Sequence, residues 1–482
     1  MAATLKAFVK DSIIYGVAAV LPRVINFLLV RVHTDALPAK NYAENTDFYI
    51  WAALFGVLLT FGLETTFFRF YKDAKEKDRL IATSFLSIVA WVTLFLVIFG
   101  VFFKPISSFF GFGSNPLRLQ LFMAIMAMDT LAMIPFAYLR AANRPIRYAF
   151  IKLLNVTVIV LIQLFALRWI PAWEEQGIGL PAWLVENYGK ISKVNYIFAA
   201  NLVGSTLSFA LLLPYLFQFS WQFDRKLFTK MLRYSYPIVI AGLAYVINEN
   251  LDKYLIGRIL DKKTEGLYAA AYKLAIFMNL YIMAFRLGAE PFFFNISHQH
   301  NARESYAKIL KYFVIIGVFV LLGIVLYIDI IKHFINPSYW VALQIVPVVL
   351  LANLMLGVYH NLSIWYKLTD RTRFGMYFSI LGAFITVVFN VVMLPRIGYM
   401  ASAWATLLAY AIMAIVSYFT GKKYYAIPYP FVRIVFYLIF GAGLSFLSFY
   451  QWHFNLWQAT GILFILLLFV WFIERKDIRQ ML

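Results

Sequence analysis

Apolar runs of about twenty residues recur from one end of the chain to the other, separated by short polar stretches in which basic residues concentrate. At 1.5 Å per helical residue, a run of that length matches the hydrocarbon thickness of a bilayer. The alternating segments of about ten residues that mark an outer-membrane barrel are not found. The pattern therefore predicts an all-α integral membrane protein of about fourteen transmembrane helices. They centre on residues 12–32, 48–69, 80–103, 118–139, 148–168, 194–217, 236–257, 266–290, 309–328, 340–364, 374–394, 399–420, 431–449 and 456–473.

The pattern also repeats. "GVAAVLPRVINFLLVR" from Gly16 lies over "GLAYVINENLDKYLIG" from Gly242, so that Gly16, Ala18, Val20 and Leu29 recur as Gly242, Ala244, Val246 and Leu255. The same register lays "GLETTFF" from Gly62 over "GAEPFFF" from Gly288 and aligns Glu64 with Glu290. One residue of drift later, "YLRAANR" from Tyr138 meets "WYKLTDR" from Trp365. The chain reads as two duplicated six-helix bundles, residues 1–220 and 221–424, followed by two C-terminal helices in 425–482. An even number of spans per copy gives both the same orientation, so an axis along the membrane normal is expected to relate them.

Composition agrees, with 63% hydrophobic residues and a mean hydropathy of +0.76. A net charge of +20 would suggest nucleic acid in a soluble protein, but here topology accounts for it. Most of the 43 Lys and Arg residues fall in alternate loops, among them Arg140, Arg144, Arg147, Lys152, Lys311 and Arg433. Basic residues stay on the cytoplasmic side, which places both termini there and leaves no nucleic-acid partner. Cysteine is absent, removing disulfides, thiolate metal sites and cysteine nucleophiles. The first apolar run is a full span without a small-residue cleavage site, and reads as a first helix and not a removable leader.

The candidate chemistry lies inside the spans, at Arg23, Lys253, Lys273, Arg286, Glu64, Asp129, Glu249, Asp252 and Glu290. Each costs about 2.5–3.5 kcal/mol at a helix centre facing lipid, so these groups pair or line a wet cavity. Glu249 with Lys253 and Arg286 with Glu290 stand one turn apart, and for them pairing and a cavity role both stay open. Arg23 has no acid one turn away on its own helix; Asn26 is its nearest polar neighbour. It needs a partner on another helix, a bound anion or water, while Pro22 beside it bends the helix. Asn248 and Asp252 occupy the corresponding turns of the second copy. Asp129 and Asp252, with Glu64 and Glu290, are the candidates for ion coupling.

Enzymatic signatures are missing: no phosphate-binding P-loop, no G-x-S-x-G and no H-E-x-x-H. His298 and His300 read as a solvated helix end and His360 as a lone satisfied histidine, so no metal or cofactor is expected. The loop "PAWEEQGIGLPAWLVENYGK" suits a short interfacial helix.

The order of these features resembles the polysaccharide transporter (O-antigen, Wzx-type flippase) family of the multidrug/oligosaccharidyl-lipid/polysaccharide (MOP) exporter superfamily. "GLETTFFRFY", "IPFAYLRAANRPIRYA" and "YPIVIAGLAYVINENLDKYLIGRIL" carry the likeness across essentially the whole chain. The resemblance implies a non-enzymatic flippase moving an undecaprenyl-pyrophosphate-linked oligosaccharide across the bacterial inner membrane by alternating access, for O-antigen, lipopolysaccharide or capsule export. Its partners would be that lipid-linked substrate, membrane lipid, and a glycan polymerase and glycosyltransferases. Arg23, Lys253, Lys273 and Arg286 would meet the pyrophosphate, and Asn26, Asn248 and Asn250 the sugars. A lipid II flippase, a multidrug and toxin extruder and a non-transporting scaffold are the alternatives.

Overall fold

The computed structural model describes residues 20–479 except 74, 75, 114, 180, 298, 370 and 453, and among these all regular structure is helical. Among the described residues twelve helices are long and apolar enough to cross a membrane. The helix over residues 20–36 and the 35-residue helix Arg225–Ile259 complete the fourteen expected spans of a multi-pass membrane protein. Gly16 lies outside the described residues. The chain separates into two compact units, Met1–Gly257 and Arg258–Leu482.

The first unit contains α1 (residues 20–36), α2 (Ala39–Thr60), α3 (Leu63–Asp73), α4 (Lys77–Val101), α5 (Pro116–Ala141), α6 (Pro145–Leu164), α7 (Lys193–Leu216) and α8, the helix Arg225–Ile259. Its core is aromatic: Phe48 stacks on Phe198 with ring centroids 3.8 Å apart, and Trp51 stacks on Phe110 at 4.2 Å. The second span is broken between α2 and α3, where Phe61 and Gly62 take φ of +47° and +62°. A Cβ at Gly62 would sit 3.2 Å from the Ile238 side chain and 3.3 Å from the Ser235 carbonyl of α8, so both backbone angle and space require glycine. The break puts Glu64 in the first turn of α3, where the helix dipole favours a carboxylate.

α6 runs into a π-helical turn, Phe165–Trp169, and on through Ile170–Glu175. A short helix, Ala182–Tyr188, forms in the loop expected to hold one. The Tyr188 hydroxyl donates to the Ala166 carbonyl at 2.6 Å, and burial pushes that hydroxyl up to about 12.

The second unit contains α9 (Lys262–Tyr272) and α10 (Ile276–Asn295), joined by a 3-10 turn, Lys273–Ala275, into the eighth span. Then follow α11 (Ala302–Leu326), α12 (Val346–Leu362), α13 (Arg373–Ile397), α14 (Met400–Tyr424), α15 (Phe431–Leu447) and α16 (Leu456–Arg479). α15 lies close on α11, since a Cβ at Gly441 would stand 2.6 Å from Val318. α16 is tied to both by charge. The buried Glu474 accepts from Lys311 at 2.5 Å and from the Tyr437 hydroxyl at 3.1 Å, with Arg433 at 3.5 Å.

The duplication is visible in backbone hydrogen bonds. After the fourth span, Ala142 N donates to Tyr138 O at 2.8 Å and Arg144 N to Leu139 O at 2.9 Å. At the matching positions after the tenth, Thr369 N donates to Trp365 O at 3.1 Å and Arg371 N to Tyr366 O at 2.8 Å. Both turns share the 6→1 bond that marks a Schellman motif. The second-span break is not repeated: Gly288, the counterpart of Gly62, is helical within α10 with open space around its Cα. The Glu290 side chain lies outside the described residues. α8, which opens the second copy in sequence, packs within the first unit, with Tyr254 edge-on to Trp51 at 5.4 Å.

Candidate functional site

The first unit holds a row of charged side chains along its helices. Arg140, in the last turn of α5, donates through Nη1 to Oε1 of Glu64 at 2.8 Å, with both side chains nearly half exposed. The Arg140 guanidinium also covers the Phe68 ring at 4.7 Å. Lys152 stands two turns inside α6, its ammonium 4.2 Å above the Phe136 ring, and makes no ion pair among the described residues. Asp129 and Glu64 both lie within electrostatic range of it, as does Arg140. The Ser205 hydroxyl of α7 faces Asp129. Asn201 of α7 donates to the Tyr49 hydroxyl at 2.8 Å, and the Asp129 charge reaches that hydroxyl too. Asp129 is exposed and Lys152 half-buried.

The structure corrects the position of Lys152, which loop counting put with the surface bases. Pro145 begins α6 at its first residue, as proline favours. Lys152 is therefore carried about 10 Å along the helix from that turn, at 1.5 Å per residue.

α8 gathers Asn248, Asn250, Asp252 and Lys253 of the expected site on one helix. Their polarity keeps α8 out of the twelve apolar spans. Asn248, Asp252 and Lys253 are buried and Asn250 is half-buried. Lys253 takes Asp252 as an ion partner at 3.1 Å, while Glu249, the partner expected one turn away, supplies its backbone carbonyl to the ammonium at 2.6 Å. Arg23 and Asn26 are both exposed on α1. Glu64, one of the acids expected for ion coupling, has Arg140 as a partner.

In the second unit Lys273 is exposed at the 3-10 turn between α9 and α10. Arg286 of α10 is half-buried and lies, with Lys367, within electrostatic range of His360 on α12. Sequence reasoning missed Lys152, Arg140 and the Lys311–Glu474 pair. For Lys152 the signal was Pro145, which marks the helix start; for Lys311 and Glu474 no local signal exists. Among the described residues no group of three or more His, Asp or Glu side chains is placed to hold a metal ion.

No curated protein sequence matches the chain. In solved structures its fold is similar to the lipid II flippase MurJ in an inward closed conformation, with TM-score 0.74 and 15% identity over 98% of this chain and 100% of that chain. It is also similar to an inward-facing multidrug resistance MATE family transporter of the MOP superfamily, with TM-score 0.64 and 10% identity over 88% of this chain and 98% of that one. A Vibrio cholerae MATE transporter variant gives TM-score 0.62 at 11% identity, over 88% and 97%. At such identities the likeness is one of fold. The family model described as polysaccharide biosynthesis protein matches residues 8–296, more than half of the sequence, and the chain belongs to that family.

Proposed function

We propose that this protein is a flippase that carries an undecaprenyl-pyrophosphate-linked oligosaccharide from the cytoplasmic to the outer leaflet of a bacterial inner membrane, by alternating access of its two six-helix bundles, for export of an O-antigen, capsule or related polysaccharide. The observation that carries this reading is membership of the polysaccharide biosynthesis family, joined to a fold likeness with a lipid II flippase over 98% of the chain. The likeness to multidrug transporters leaves about a tenth of the chain unmatched, which favours the lipid-linked substrate.

A pyrophosphate-linked glycan is anionic and hydrophilic, so its path needs fixed cations and amides. Arg23 and Lys273 are exposed and Arg286 half-buried, and these three are the first contacts for phosphate. Lys253 joins them when its pair with Asp252 opens, and Asn26, Asn248 and Asn250 meet the sugars. Asp129, Asp252, Glu64 and Glu290 are the acids available for ion coupling. Both termini lie in the cytoplasm in this reading. Two negative charges leaving a cell held about 100 mV negative inside release about 4–5 kcal/mol, enough to drive flipping without ATP.

The test pairs glycan-export complementation with the melting temperature of the purified protein. Arg23→Gln is expected to abolish export at unchanged melting temperature, and Arg23→Lys to restore part of it, since a point charge attracts phosphate without the two-pronged guanidinium contact. Loss of melting temperature in Arg23→Gln, rescued by Asp129→Asn, refutes the substrate role and makes Arg23 structural.

A further inference from the structure

Three apolar spans of the second unit, Ala302–Leu326, Pro337–Leu368 and Phe431–Trp452, meet around a cavity of about 170 Å³. One water needs about 10–15 Å³ of such space, so the cavity takes a group much larger than water. Its walls come from the ends of those spans. Val325 stands in the last turn of α11, Leu343 in the 3-10 segment Pro337–Ile345, and Phe449 in the π-helical turn Ser448–Trp452 that follows α15. Phe454 adds to the apolar side. Span ends lie at headgroup depth in a bilayer, and the exposed Tyr450 and Trp452 beside the cavity are the residue types that settle there. The mouth carries one charge of each sign. Lys332 Nζ and Asp329 Oδ1 are 2.6 Å apart, and the ammonium also lies 4.6 Å from the centre of the Trp340 ring. Trp340 Nε1 donates to the Lys332 carbonyl at 3.0 Å, which fixes the ring beside the lysine. The two charged side chains differ in depth, Lys332 being 23% exposed and Asp329 70%. An ion pair this open is weakly held and opens to other ions.

We propose that this cavity binds a zwitterionic phospholipid, phosphatidylethanolamine, with its phosphate on Lys332 and its ammonium on Asp329. The depths of the two side chains select that orientation. The phosphate is tied to the glycerol and lies nearer the hydrocarbon, where it meets the sheltered cation; the amine is the free end and meets the exposed carboxylate. Each half of the Lys332–Asp329 pair thus exchanges its partner for a group of the same sign, so no charge is stranded. The mouth is neutral as a whole. An anionic headgroup such as phosphatidylglycerol would occupy Lys332 and leave Asp329 repelled, and a choline headgroup has no N–H to donate to the carboxylate. The glycerol and first chain carbons lie against Val325, Leu343, Phe449 and Phe454. The site is built wholly within the second unit and is independent of the molecule transported.

The chain has no cysteine, so a single Gln451→Cys, exposed on the π-helical turn and labelled with an environment-sensitive dye, reports on this cavity alone. The labelled full-length protein in detergent is titrated separately with phosphatidylethanolamine, phosphatidylcholine and phosphatidylglycerol of the same acyl chains, and with phosphoethanolamine, which has none. Phosphatidylethanolamine is expected to saturate the response at a concentration about tenfold lower than the other lipids, as the loss of one charged hydrogen bond would give. Lys332→Gln is expected to remove that advantage. Asp329→Asn is expected to tighten phosphatidylglycerol severalfold, because it removes the repelling carboxylate and keeps the cation; a gain of affinity cannot come from misfolding. Equal responses to the three lipids, an unchanged preference in Lys332→Gln, or no gain for phosphatidylglycerol in Asp329→Asn overturns the site. Phosphoethanolamine acting at the same concentration as the lipid overturns the lipid as occupant in favour of a soluble zwitterion.

Discussion

Lys311 and Glu474 stand 163 residues apart in sequence and 2.5 Å apart in space, with side chains 2% and 0% exposed. Removing one member of a buried pair strands the other, at a cost of about 3–5 kcal/mol, whereas replacing both is close to neutral. The structure makes the two single changes unequal. In Lys311→Met, Glu474 keeps the Tyr437 hydroxyl at 3.1 Å and Arg433 at 3.5 Å. Arg433 is 53% exposed and screened, yet at an effective dielectric near 20 a charge at that distance still returns about 4–5 kcal/mol of the 6–7 that Lys311 supplied. Its cost should sit near about 3 kcal/mol, the lower end of the range. In Glu474→Gln, Lys311 keeps the face of Tyr312 at 4.7 Å, a contact worth about 1–2 kcal/mol, and the loss should approach about 5 kcal/mol. The double change should recover most of either loss, giving a coupling of about 6–7 kcal/mol. Unfolding by SDS titration in mixed micelles measures all three. Equal single costs would remove Arg433 from the account, and additive costs would show that Lys311 and Glu474 do not depend on each other.

The two matched glycines should respond in opposite senses. Gly62→Ala places a side chain at φ +62° against Ile238 and should destabilise by about 1–2 kcal/mol, while Gly288→Ala, helical and in open space, should be neutral or stabilise by up to about 1 kcal/mol in the same titration. Asp261 caps α9, accepting from the Thr264 backbone at 2.9 Å and its hydroxyl at 2.6 Å, and the Thr264 hydroxyl chiefly holds its carboxyl below the ordinary 3.8. A depressed carboxyl stabilises the fold above 3.8 and loses that contribution as pH falls through its lowered value, so Asp261→Ala should cost about 1 kcal/mol at pH 7 and nothing at the acid end of a melting series. Proteoliposomes should flip faster under a valinomycin-imposed potential negative on the side the substrate leaves; indifference to potential would contradict an electrogenic step.

The spans and the duplication were legible because bilayer thickness imposes run length, and because Arg144 and Arg371 close the same turn by the same bonds. The α2–α3 break was not, since "GLETTFF" and "GAEPFFF" read alike and only contact with Ser235 and Ile238 of α8 marks Gly62 out from Gly288. In the site, spacing suggested Glu249 for Lys253; the folded helix turns the ammonium to the adjacent Asp252 and to the Glu249 carbonyl. Lys152 lay inside the expected span 148–168 yet was counted with the loop bases; the start of α6 at Pro145 sets it two turns into the helix. The pairing of Lys311 with Glu474 depends on which helices meet, and no short stretch of sequence encodes that.

The fifth span carries its own waterline. From Pro145 to Leu164 the α-helix has 20 residues, about 30 Å of rise, which is the thickness of a hydrocarbon core. The π-helical turn begins at the next residue, so with α6 upright in a bilayer the irregular backbone, Arg168 and the exposed rings of Phe165 and Trp169 would fall at headgroup depth, and Glu174 and Glu175 in water. A bilayer several Å thicker would submerge Arg168 and the loosened turn together, and one several Å thinner would lift Phe165 clear of the lipid. An upright α6 would match one membrane thickness, and activity in reconstituted vesicles should then peak at the acyl length that sets the lipid surface at Phe165.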